Sequence, residues 1–210
     1  MKSRWGTLKH IRGWHYPRRA GEKPLLSLTG GGDTYDKISG MTQDLSEFRP
    51  SRLWKRMTAE RRIAAAELFW ADDQSTEQQV EAVAALAAHM KFRAKSVISL
   101  PIEKKAKYLA TLPNIAETVA ARALVNYHLE RQRPMMGAFL DSLGITHENG
   151  LISEENVTKP DPEKLKTAAA ELNTRFPPED VALYFGTLVS QDPDTWGPLA
   201  ETVGDSIPHP

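Results

Sequence analysis

Residues 114–133, NIAETVAARALVNYHLERQR, constrain this chain more than any other stretch, because they are helical in period and apolar on more than one face. Ile115, Val119, Ala123 and Tyr127 recur on one side. Ala121, Leu124, Val125 and Leu129 widen the apolar arc beyond what a one-sided surface helix needs. Such a helix needs cover on at least two sides, so the sequence predicts a multi-helix body around it. Asn114 with Glu117 three residues on is an N-terminal capping signature. Pro134 ends the helix by removing an amide donor and disfavouring α geometry at Arg133. A shorter helix over residues 135–143 follows, with Gly144 as its cap.

The flanks carry the same kind of pattern. Residues 53–71 set Leu53, Trp54, Met57, Ile63, Ala64 and Leu68 against a basic face of Arg52, Lys55, Arg56, Arg61 and Arg62. Ser75 and Gln78 read as a capping box for a helix whose apolar stripe is Val80, Val83, Ala84, Ala87 and Met90. Residues 93–99 read as connector, and residues 102–111 as a short helix with Lys104, Lys105 and Lys107 outward. Residues 145–160 are polar, carry the Asn149-Gly150 turn signal and read as the longest loop of the body. Asp161-Pro162-Glu163 opens a helix that runs to Asn173, and Pro177-Pro178 separates it from another through Val181, Tyr184, Phe185 and Leu188. Residues 195–203 read as a last short helix. The expected fold is all-α: a multi-helix bundle or a short stack of helical hairpins over residues 50–205. An extended, irregular, glycine-rich N-terminal arm is expected over 1–49 and a loose tail over 206–210.

Composition narrows the function classes. The chain has no cysteine, which removes disulfides, thiolate nucleophiles and cysteine-held metal centres. No apolar run approaches the roughly 20 residues of a spanning helix, so no membrane span is expected and the cytoplasm is the default compartment. A net charge of zero conceals a gradient: residues 1–23 hold seven bases against one acid, and residues 141–210 four bases against thirteen acids. The basic arm therefore either folds onto the acidic end of its own chain or reaches an anionic partner. Arg4, Trp5, Lys9, Arg12, Trp14, Arg18 and Arg19 interleave aromatic and basic groups as a nucleic-acid contact requires, and Arg61 and Arg62 add a basic helix face.

Catalytic signatures are missing: there is no His-Glu-x-x-His, no Gly-x-Ser-x-Gly and no Ser-x-x-Lys. Asp192-x-Asp194 has the first spacing of a calcium loop, but Trp196 and Val203 stand where later ligands belong, so it reads as a helix cap and no metal or cofactor is expected. One polar set lies on the central helix. Arg122, Asn126 and Glu130 are spaced by four and line one face, whereas His128 points elsewhere. The set reads either as an acid–base or anion site, or as a salt-bridged stripe with His128 satisfied inside the core. Three functions follow in order. The first is a non-catalytic helical protein-interaction or scaffold module, binding another protein or a second copy. The second is a nucleic-acid-associated protein using the basic arm. The third is an enzyme with its site near the 114–133 helix and the 145–160 loop.

Overall fold

The computed structural model describes residues 45–152 and 159–203, which are all-α apart from one small antiparallel hairpin. A 3-10 turn, Leu45–Phe48, leads into α1 (Pro50–Arg56) and α2 (Ala59–Ala71), and a second 3-10 turn, Asp73–Ser75, into α3 (Thr76–Met90). α4 (Ala94–Ile98), α5 (Ile102–Thr111), α6 (Glu117–Arg131) and α7 (Arg133–Leu143) follow. The hairpin pairs β1 (His147–Glu148) with β2 (Leu151–Ile152). α8 (Pro162–Arg175), α9 (Pro178–Gln191), α10 (Pro193–Trp196) and α11 (Ala200–Val203) complete the body, with a 3-10 turn, Gly197–Leu199, before α11. The arm expected over 1–49 lies, up to residue 44, outside the described residues, as does the expected tail. Residues 45–49 join the helical body: Phe48 is buried, and Glu47 pairs with Arg52 and Arg56 of α1.

α6 is the hub and packs against α1, α2, α3, α7 and α9. It buries an almost unbroken run from Val119 to His128, which is why its apolar residues could not be confined to one face. Two apolar clusters meet along it. One gathers α1 to α5, the outer part of α6 and Leu183 of α9 around Trp54, Phe69, Leu86 and Leu109. The other gathers Phe48 and α7 to α11 around Phe139, Tyr184, Phe185 and Trp196. α9 lies against both, and its Gly186 permits the approach: a Cβ there would stand 2.8 Å from Leu53 Cδ2. The polar side chains of α6 therefore sit near the seam of two cores.

Several local expectations are corrected by tertiary competition. Residues 53–71 form two helices, not one, because Met57 turns extended and Thr58 caps α2 by accepting the Arg61 N–H at 3.3 Å. Asn114 does not cap α6, whose N-cap is Ala116. Glu117 instead accepts both the amide (2.9 Å) and the hydroxyl (2.7 Å) of Ser51, satisfying the start of α1. Ser75 makes no capping bond to α3, since its hydroxyl donates to Asp72. α3 buries Ala82 and Leu86 and leaves Val80 66% exposed, so the stripe read from its sequence is displaced. Residues read as connector form α4, and the loop read over 145–160 contains the hairpin, with Asn149 and Gly150 both at positive φ as a two-residue hairpin turn demands. The single helix expected over 195–203 is broken into the pieces of α10, the 3-10 turn and α11.

Candidate functional site

Arg122 and Asn126, one turn apart on α6, converge on the turn between α2 and α3. Arg122 Nη2 lies 2.7 Å from Asp72 Oδ2, and Arg122 Nε lies 2.9 Å from Ser75 Oγ. Asn126 Nδ2 donates to the same carboxylate oxygen at 3.1 Å. Ser75 donates to it at 2.6 Å, and the Gln74 N–H to the other oxygen at 3.0 Å. Burial pushes the Asp72 carboxyl up, but the bonds from Ser75, Gln74 and Arg122, together with the Arg122 charge, outweigh it and hold the group below its ordinary range. A carboxylate so engaged stays ionised at neutral pH and is a poor base, so this cluster ties the α2–α3 turn to α6. Arg122→Ala is expected to cost about 1–3 kcal/mol, since it strips a partner from a partly buried charge. A double-mutant cycle with Asp72→Ala under urea unfolding checks it: additive losses contradict the direct pairing.

His128 takes a different direction and is fully buried at the seam. Its Nδ1 is 2.6 Å from Gln132 Oε1 and its Nε2 3.0 Å from Thr187 Oγ1, whose hydroxyl also lies 2.8 Å from the Leu183 carbonyl. Gln132 also acts on the Asp180 carboxyl, pulling it down. Asp180 lies 3.0 Å from Arg61, and Glu179 lies 3.1 Å from it. Burial raises the Asp180 carboxyl against the pull of Arg61. Burial also pushes the His128 imidazole down to about 4, so the ring is neutral at pH 7. Both ring nitrogens are engaged and water is excluded, which leaves no nitrogen to serve a substrate. Glu130 stands apart, half-exposed and 4.0 Å from Arg133. The structure thus joins Arg122 with Asn126, and separates both from His128 and Glu130.

A cleft of about 670 Å³ opens where α7, the hairpin and the end of α8 meet, lined in part by Arg133, Asp141, Ser142, His147 and Arg175. His147 Nδ1 accepts the Gly150 N–H at 3.1 Å, so Nε2 carries the proton and donates to Asp141 at 3.1 Å. This histidine too has both nitrogens committed, here to clasping the hairpin onto α7. Gly150 completes the clasp, because a Cβ at its φ of +82° would fall 2.7 Å from Met136 Cβ. Among the described residues no cluster of acids and histidines has the geometry to hold a metal ion.

Of the basic residues read as anion contacts, Arg61 is held by α9 and Arg62 is half-buried with its Nε unpartnered. Arg4, Trp5, Lys9, Arg12, Trp14, Arg18 and Arg19 lie outside the described residues. Sequence reasoning passed over a different surface, the edge formed by α4, α5 and the turn before α4. Among the described residues, five of the six large exposed hydrophobics fall in residues 80–108, among them Phe92 at 46%, Ile98 at 62% and Ile102 at 38%. Around them Lys91, Arg93, Lys95, Lys104 and Lys107 are exposed, and among the described residues none of these cations is in an ion pair. Glu103 is the sole acid between Lys91 and Lys107. Lys105 is the exception among the bases, lying 4.7 Å from the Trp70 ring centroid. Ile98 and Ile102 four residues apart around Pro101 were the available signal, masked by a helical run too short to show a period. No protein-family model matches the chain, and neither a curated protein nor a solved structure resembles it significantly.

Proposed function

We propose that this protein is a non-catalytic helical interaction module that docks a negatively charged partner on the α4–α5 edge. The observation that carries the reading is the exposed apolar set Phe92, Ile98, Ile102 and Tyr108 interleaved with five cations that have no ion-pair partner among the described residues. Apolar groups of this size left in water gain free energy on being covered, and unpaired cations around them select an anionic cover. The internal polar groups support the same conclusion from the other side. Asp72, His128 and His147 are each bound up in hydrogen bonds that stabilise the body, which disfavours the enzymatic alternative near the 114–133 helix and the 145–160 loop. The engagement of Arg61 with α9 weakens its part in a nucleic-acid reading.

The test is capture from native lysate by the tagged full chain, in parallel with Lys95→Glu/Lys104→Glu and with Arg122→Ala. The partner is expected to be retained by the wild type and by Arg122→Ala, released by added salt, and lost from the charge-reversed chain. Equal recovery on all three chains contradicts docking at this edge.

A further inference from the structure

We infer that the anionic partner of the α4–α5 edge is a lipid bilayer surface, on which the turn between α4 and α5 inserts Ile98 and Ile102 while the surrounding lysines meet the headgroups. This rests on the docking reading above. Three features favour lipid over other anions. First, the turn between α4 and α5 presents two β-branched aliphatics to solvent, Ile98 at 62%, the most exposed apolar group of the edge, and Ile102 at 38%, beside Phe92 at 46%. Aliphatic side chains neither stack on bases nor hydrogen-bond, and their gain comes from entering hydrocarbon. Second, residues 91–111, KFRAKSVISLPIEKKAKYLAT, hold no Asn, Gln or Asp and a single Arg. Reading base edges needs amide or bidentate groups, whereas lysine serves as a point charge toward an anionic surface. Third, the charge and the apolar groups are neighbours along one short piece of chain. Lys95 lies one turn before Ser99, Ile102 opens α5, and Lys104 and Tyr108 stand one turn apart on its solvent face. Val97, Ala106 and Leu109 anchor the other side in the core, so the edge is presented by a fixed scaffold.

No helix of the described residues is long and apolar enough to cross a membrane. The attachment is therefore peripheral and reversible, and depends on apolar insertion and charge acting together.

The experiment is co-sedimentation of the full chain with vesicles of phosphatidylcholine alone and of phosphatidylcholine mixed equally with phosphatidylserine. The variants are Ile98→Ser/Ile102→Ser and Lys95→Glu/Lys104→Glu, and far-UV circular dichroism confirms that each keeps the helical body, as exposed sites allow. Binding is expected to the mixed vesicles and not to the neutral ones. It should fall at least about tenfold for the serine pair and about a hundredfold for the charge-reversed pair. No binding to the mixed vesicles overturns the lipid assignment. So does binding that neither pair diminishes, because it then arises from the basic residues at 1–23. If vesicles fail while the wild-type chain captures an acidic protein or a nuclease-sensitive partner that the charge-reversed chain loses, the lipid assignment falls and the docking edge stands. Loss of both leaves neither.

Discussion

Phe139→Ala is expected to lower the free energy of unfolding by about 3–5 kcal/mol, the largest loss of any single truncation considered. Phe139 is fully buried on α7 and is the ring on which the second core is assembled. Its centroid lies 4.9 Å from Phe185, 5.9 Å from Tyr184 and 6.1 Å from Trp196, so one truncation removes ring contacts to α9 and α10 together. The perpendicular approach to Tyr184 is a favoured aromatic geometry and adds to the area lost from burial. Refilling the void would require α7 to shift toward α9, and α7 is also tied to the hairpin through His147. Val80→Ala supplies the contrast, because a side chain 66% exposed has little burial to lose; its effect should stay within about 0.5 kcal/mol. Urea midpoints of the two variants decide the matter. Similar losses for both contradict the assignment of the core.

Acid is expected to weaken the protein before its carboxylates titrate, through His128. The folded imidazole is held down to about 4 by burial, against an ordinary value of 6.5. Below pH 6.5 the unfolded chain takes up a proton that the folded chain refuses, so stability is complete above that value and declines as the pH falls toward 4. The full decline amounts to about 3 kcal/mol. Asp180, raised by burial, works in the opposite sense, because its folded form accepts a proton more readily than the unfolded one. Asp72, lowered by its donors, adds a further loss at still lower pH. In the range from 6.5 down to 5 the imidazole therefore dominates. His128→Gln removes the titrating group. Whatever its own stability, its unfolding free energy should be flat over that range while the wild type slopes. Parallel pH profiles for the two chains contradict the neutral, buried imidazole.

Much of the architecture was legible wherever a signal is local. Asp161 caps α8 by accepting the Glu163 and Lys164 amides at 2.9 and 3.3 Å, as Asp-Pro-Glu indicated, and Asp192 caps α10 by accepting the Thr195 amide at 3.1 Å. α7 ends at Gly144 in the left-handed conformation that its position suggested. What failed were signals whose polar groups had better partners far away in sequence. Ser75 was drawn from its expected cap to Arg122, and Glu117 from its own helix to Ser51 of α1. No local rule contains those partners. The candidate site divides in the same way. Spacing by four placed Arg122 and Asn126 on one face, and the two-residue offset turned His128 elsewhere. Asp72, fifty positions upstream of Arg122, carries no mark of its role as their shared acceptor. The α4–α5 edge was hidden for another reason. A five-residue helix has no measurable period, and exposure of Ile98 depends on which neighbours happen to cover α4.

The central claim, that the α4–α5 edge is covered by an anionic partner, is read most directly by amine-reactive labelling of the intact chain, purified and in native lysate. Lys91, Lys95, Lys104 and Lys107 report on the edge, while Lys55 and Lys164, exposed on other helices, serve as internal references. The four edge lysines are expected to be protected severalfold in lysate relative to the references, with protection lost at high salt. Labelling of the edge that matches the references in both states would contradict the claim.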